Sequence, residues 1–239
     1  GSTLMMSNTE DLFQLFRKSA IQLLVSDRTE ISSVAAFADT MTGLTIHNKN
    51  LIVNFPKSQY VVSGNVPITP QTATMSPSTT YETSKKVTPL SHGNNLFLPF
   101  LQGKSSGIWD YTQRDENDQN IAAPITQLVE GYIRGEIDVW ASSTQLGMVV
   151  VKTTDSDNRL YIYEHYEYEG EQVQKAWSTW ELSTDDEILW LGFDNTTLVI
   201  ITLSTAIGTM RKRIDMAPID RIKLDNDYLE LIPQSPPIL

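Results

Sequence analysis

The feature that most constrains this chain is a succession of short apolar or alternating runs, each closed by turn-forming residues. Such spacing predicts consecutive antiparallel hairpins, and therefore a sandwich, a barrel or a propeller. Asn50 to Phe55 (NLIVNF) reads as a strand, Pro56-Lys57 as its turn, and Ser58 to Ser63 (SQYVVS) as the return. Thr72 to Met75 and Thr79 to Glu82 extend that sheet. Val87 to Leu90 leads through His92-Gly93-Asn94 to Asn95–Leu101, where Pro99 marks an edge or a bulge. Gly107 to Gln113 pairs back. The clearest set starts at Glu136: Ile137 to Ser142, Gly147 to Thr153, Leu160 to Glu169 and Val173 to Leu182, joined by tight turns. Four such strands make one meander of propeller-blade size. The spacing recurs in Glu187 to Phe193, Thr197 to Leu203 and Thr209 to Met216, without recurrence of residue identity.

The expected fold is thus all-β, with antiparallel meanders forming β-propeller-like blades in a partial or distorted propeller. Asp11 to Lys18 (DLFQLFRK) places Leu12, Phe13, Leu15 and Phe16 at helical spacing, so a short helix near residues 10–18, or a packed loop, is expected there. Asp115 to Pro124 reads as a polar loop and Ile125 to Tyr132 as a helical candidate. The expected division is a Gly1-Ser2 cloning scar, a lead-in strand and short helix or loop over 3–40, β-propeller-like blades over 41–218, and a C-terminal strand with a proline-rich linker over 219–239. On this reading the chain is an excerpt of a longer protein.

Composition narrows the function. No cysteine is present, so neither a disulfide framework nor a thiolate metal site nor a cysteine nucleophile is available. No apolar run approaches the roughly 20 residues that span a bilayer as a helix. The net charge of −11 opposes nucleic-acid binding, and the one basic cluster, Arg211-Lys212-Arg213, lies in an expected strand as an exposed face.

Each chemical motif has a plain structural alternative. His47, His92 and His165 lack metal-ligand spacing and are expected to be satisfied or exposed structural histidines. Asp155-Ser156-Asp157-Asn158 and the set Asp115, Glu116, Asp118 and Asn120 lack the glycine and glutamate of a helix-loop-helix calcium site, so hairpin turns are expected. Asp185, Asp186 and Glu187, like Glu164, Glu167 and Glu169, are neighbours on one solvated hairpin. They do not oppose one another across a substrate as a glycosidase pair must. Tyr161, Tyr163, Tyr166, Tyr168, Trp177 and Trp180 can supply a sugar-stacking platform, or cross-strand packing and subunit contacts. Packing is the preferred reading, with a carbohydrate-binding propeller used in host recognition as the alternative. No nucleophile elbow, phosphate loop or dinucleotide fingerprint occurs.

Taken in order, these segments resemble a known family. Leu160 to Leu182 is similar to a strand of alternating tyrosines followed by a "VQ-x-AW-x-x-W" strand, carried here by Val173, Gln174, Ala176, Trp177 and Trp180 after Tyr161 and Tyr163. Ser7 with Asp11, Phe13 and Phe16 resembles an upstream stretch of the same family. So do Gln59, Tyr60, Ser63 and Gly64 in the first hairpin, Gly93-Asn94-Asn95-Leu96, Ser105 to Tyr111, and Arg213-Ile214-Asp215. The family is the nozzle protein (large tail tubular protein, or tail tubular protein B) of short-tailed podovirus-type bacteriophages, and the likeness runs colinearly from Met6 to Met216. Arg134-Gly135-Glu136 departs from it, where the family has a more apolar approach. The resemblance implies a non-enzymatic virion structural protein, made in the host cytoplasm, that forms a homohexameric tail tube. Its implied partners are the tail adaptor and the fibres, and DNA passes through its bore without specific binding. It implies no cofactor, no metal and no catalytic residue.

Overall fold

The structure is a computed structural model. It describes residues 3–8, 11, 13–16, 22, 24, 26–32, 40–63, 68–113, 120–168, 171–183 and 186–216. Among these residues, seventeen strands fall into five antiparallel sheets, each built from strands consecutive in the chain. Sheet A is β1 (Thr3–Met6) with β2 (Thr29–Ser32). Sheet B is the meander β3 (Gly43–His47), β4 (Asn50–Phe55), β5 (Ser58–Ser63) and β6 (Thr74–Thr79). Sheet C is β7 (Leu90–His92), β8 (Asn95–Gln102), β9 (Ser105–Gln113) and β10 (Asn120–Pro124). Sheet D is β11 (Ile137–Ser143), β12 (Met148–Thr153), β13 (Arg159–Tyr168) and β14 (Glu171–Glu181). Sheet E is β15 (Asp186–Asp194), β16 (Thr197–Ser204) and β17 (Gly208–Asp215).

The period of two along each strand decides how the sheets stack, because successive side chains leave on opposite faces. In β4, Val53 and Phe55 join Leu4 and Ile31 of sheet A, whereas Ile52 joins Leu96, Leu98 and Tyr111 of sheet C. In β8, Leu96 and Leu98 thus face sheet B while Phe97 faces Val149, Val151, Tyr161 and Tyr163 of sheet D. In β13, Leu160 and Ile162 turn the other way, onto Ile188, Leu191, Leu198 and Ile200 of sheet E. Sheets B, C and D are therefore buried on both faces, and the apolar run of β12 has every residue buried. Each large apolar side chain so buried stabilises the stack by about 1.5–3 kcal/mol. Hydrogen bonds also cross the junctions. Thr45 Oγ1 donates to Pro89 O (2.8 Å) between B and C, Trp140 Nε1 to Thr88 O (3.0 Å) between C and D, and Ile188 N to Asp157 O (2.8 Å) between D and E.

Several expectations need correction. The described residues near 10–18 form a loop and no helix. The Asp11 carboxylate accepts the Phe13 N–H at 3.0 Å and so competes with helical bonding, while Phe13 and Phe16 stand exposed. Leu12, Arg17 and Lys18 lie outside the described residues. Ile125 to Tyr132 holds only a single 3-10 turn, Gln127–Val129. The two expected strands over 72–82 are one, β6, and Pro77 is tolerated because β6 is an edge strand. Asn120 to Pro124, expected as loop, is strand β10, paired to Trp109–Gln113. Pro99 lies in an interior strand, yet β7 pairs only with Asn95 to Phe97, so no ladder bond is asked of it. β2 and β3 were absent from the sequence-based expectation.

Candidate functional site

Among the described residues, sheet E has one covered face. Along β16, Leu198, Ile200, Thr202 and Ser204 are buried toward sheet D, so the intervening Val199, Ile201 and Leu203 face away. Register places Trp190 opposite Ile201 and Gly192 opposite Val199 on that outer face. Trp190 covers Gly192, since a Cβ there would meet the indole at 2.0 Å. Across the sheet, Arg213 pairs with Val199 and Arg211 with Ile201. The outer face is thus an apolar patch, with Trp190 48% and Leu203 39% exposed, rimmed by guanidinium groups. Arg213 is tied to Asp194 at 3.0 Å.

The basic cluster does not act as one face. Lys212, between two exposed arginines, turns inward to form an ion pair with Asp186, and both partners are largely buried. Asp186 was expected on a solvated hairpin, but it is a buried anion matched to one cation; Asp185 lies outside the described residues. A second pair joins Lys152 to Asp138 at 2.9 Å, and that hydrogen bond holds the Asp138 carboxyl below its usual range.

The family-motif aromatics are dispersed by alternation. Tyr161 and Tyr163 are buried, which removes them as a sugar-stacking surface. Trp177 leans on Tyr163 with ring centroids 5.0 Å apart, on the side facing sheet C. Trp180, three residues on, packs on the opposite side with the D–E core. Ala176 pairs with Glu164, and Gln174 with Tyr166. The side chains of Val173, Gln174, Tyr166 and Tyr168 lie outside the described residues.

Of the histidines, His47 is satisfied as expected, whereas His92 departs from expectation. Among the described residues His92 is neither exposed nor hydrogen-bonded. It is buried between sheets C and D, stacks on Phe97 at 5.5 Å and meets the His165 ring edge-on at 4.9 Å. Burial first, and then the charge of His165, push its pKa down to about 4. His47 is buried too, and burial lowers its pKa; its Nδ1 lies 3.0 Å from Ser91 Oγ and its Nε2 3.2 Å from the Asn48 amide. Among the described residues no group of three His, Cys, Asp or Glu is placed to hold a metal ion.

The loop Asp155 to Asn158 is a hairpin turn whose polar groups stitch strands together. Ser156 Oγ donates to Asn158 Oδ1 (2.9 Å), and the Asn158 amide donates to Leu182 O (3.0 Å). Asp115, Glu116 and Asp118 lie outside the described residues, and Asn120 begins β10. Gln59, matched to the family only by its motif, proves structural. Its Nε2 donates to Asn54 Oδ1 (3.2 Å) and Tyr81 O (3.0 Å), and its Oε1 accepts from Thr79 Oγ1 (2.8 Å) and Tyr81 N (3.2 Å). A buried glutamine followed by a turn and a threonine-rich edge strand is the only signal of that network in the sequence.

A family model described as "Bacteriophage nozzle protein" matches residues 1–231. No curated protein matches. Among solved structures, the chain is similar to the N-terminal domain of Nup159 at 9% identity and a TM-score of 0.41, covering 72% of this chain and 43% of that one. It is similar to Chaetomium thermophilum Raptor at 11% identity and a TM-score of 0.41, covering 77% of this chain and 16% of that one. It is also similar to Kluyveromyces lactis Hsv2 at 11% identity and a TM-score of 0.30, covering 74% and 65%. The chain thus spans less than two thirds of each of these three, and at these scores the likenesses carry no functional weight.

Proposed function

Because the chain belongs to the bacteriophage nozzle protein family, and so to the structural components of the phage tail, we propose that it forms part of the wall of the distal tail tube. In this reading its work is mechanical. Blade-like sheets over 41–218 supply stiffness through the side chains locked between them, the lead-in over 3–40 and the segment 219–239 connect the body to its surroundings, and no chemistry is performed. Tyr161, Tyr163, Ala176, Trp177 and Trp180 serve as packing anchors between blades. The assembled unit is a hexamer below the tail adaptor, with fibres docked at its side. A chain of net charge −11 presents DNA with a repulsive wall, which favours passage over adhesion.

The observation that carries the assembly reading is the open face of sheet E. A patch formed by Trp190, Val199, Ile201 and Leu203, left uncovered by the described residues at the end of a stack of covered sheets, supports a contact surface there. The test is sedimentation of the chain mixed with the tail adaptor, for wild type and for a Trp190→Asp/Leu203→Asp variant. Wild type is expected to enter a ring-sized complex, and the variant to stay behind with an unchanged circular dichroism spectrum. Equal incorporation of both would refute the role of this face.

A further inference from the structure

The connector between sheets C and D forms the floor of an open groove of about 590 Å³, whose lining includes Glu130, Tyr132, Arg134, Arg159, Tyr161 and Glu181. A second groove of about 320 Å³ continues it through the shared Glu130 and Gly131, toward Gln102, Ser105, Ser106 and Thr126. We propose that this elongated cleft is a binding site for a neutral oligosaccharide.

The floor of the groove is fixed. Ile133 is buried in the C–D core, and the residues on each side of it, Tyr132 and Arg134, point out. The segment is clamped to the β8–β9 turn: Ser106 N donates to Ile133 O (2.8 Å), Gly135 N to Lys104 O (2.8 Å), and Ser106 Oγ to Gly135 O (2.8 Å). Gly131 and Gly135 hold positive φ values of 76° and 79°, and a Cβ on Gly135 would meet Asp155 N at 2.7 Å. The backbone N–H of Arg134 is further anchored on the Tyr161 hydroxyl at 3.3 Å. A wall that does not reorganise on binding avoids the ordering cost that weakens most open sites.

The chemistry of the lining selects the ligand class. Tyr132 is 37% exposed and braced edge-on by Tyr161, with centroids 5.7 Å apart, so it offers an apolar ring to the C–H face of a pyranose. Arg159 and Glu181 form a cross-strand pair at 2.8 Å along the wall, which sets donors beside an acceptor, the pairing that adjacent hydroxyls require. The charged side chains of the first groove are Arg134, Arg159, Glu130 and Glu181, which sum to zero and favour no ionic ligand. The extension adds hydroxyl and amide groups, which suits a chain of sugars better than a single one. Of the family-motif aromatics, Tyr161 reaches this site as the brace of Tyr132, and no residue of sheet E lines it.

The test is saturation-transfer NMR on the full chain, with linear oligosaccharides of glucose, galactose, mannose and N-acetylglucosamine at millimolar concentration, and oligogalacturonate as the charged comparison. Wild type is expected to bind at least one neutral series. Tyr132→Ala should weaken that binding at least tenfold, while Leu128→Ala, changed at an exposed residue outside the lining, should leave it intact. Thermal melting of both variants verifies that the fold survives. Absence of binding to every neutral series, binding of oligogalacturonate alone, or undiminished binding by a folded Tyr132→Ala would each overturn the proposal.

Discussion

Lowering the pH should unlock the C–D junction through His92. Its ring is buried against Phe97 and His165, its two nitrogens have no hydrogen-bond partner among the described residues, and its pKa stands at about 4 against 6.5 for the free side chain. The folded value is depressed, so between those two pH values the unfolded chain takes up a proton that the folded chain refuses. Stability from this group is fully present above pH 6.5 and falls as the pH drops toward 4, with no further loss below that. At about 1.36 kcal/mol per pH unit, the fall from 6.5 to about 4 gives a loss of roughly 3 kcal/mol, which is a large share of the 5–15 kcal/mol that typically holds a domain folded. His47, also lowered by burial, adds to the loss in the same direction. Carboxylates contribute acid sensitivity of their own, so the comparison is with His92→Phe, which keeps an aromatic ring on Phe97 and removes the proton site. Urea unfolding of both proteins at pH 7, 5.5 and 4 should show wild type losing roughly 3 kcal/mol more than the variant across that window. Parallel losses would refute the placement of His92 as a buried neutral ring.

The remaining expectations concern the ion pair and a tight turn. Lys212→Met leaves the Asp186 carboxylate buried without its cation and should cost about 3–5 kcal/mol in denaturant unfolding, with most of it regained in an Asp186→Asn/Lys212→Met double variant. Gly147→Ala places a Cβ 2.4 Å from the His165 carbonyl oxygen at a φ of 61°, so about 2–4 kcal/mol should be lost, seen as a fall in Tm of roughly 5–10 °C. Gly103→Ala, also at positive φ but with open space around it, should cost only about 1 kcal/mol and separates conformational strain from collision.

Much of the fold was legible because period two is written directly into the chain. NLIVNF and SQYVVS give β4 and β5 to the residue, and GMVVVK marks a strand covered on both faces. The strands that escaped notice are those whose stability comes from a neighbour. The NIAAP stretch of β10 has weak β-propensity and a proline, and it is a strand because it pairs with β9. The helical spacing of Leu12, Phe13, Leu15 and Phe16 misled because an aspartate at the start offered the backbone a competing bond. Burial of individual polar groups was less accessible still. Lys212 and Arg213 are adjacent basic residues in sequence, yet alternation sends one into an ion pair and the other to the surface. His92 looked like a turn residue, and only the arrival of sheet D over it makes it a core group. The groove along Gly131 to Arg134 left no sequence signal beyond two glycines, since its walls come from β13, β14 and a 3-10 turn brought together by stacking.

The central claim is that this chain is a load-carrying part of a phage tail, assembled around a channel. A cryo-electron microscopy reconstruction of the tail, with this chain fitted as five stacked sheets, tests it most directly. The account predicts six copies about the tail axis, with the outer face of sheet E covered by a neighbouring surface and acidic side chains lining the bore. Density for the chain away from the tube wall, or a bore lined by basic side chains, would contradict it.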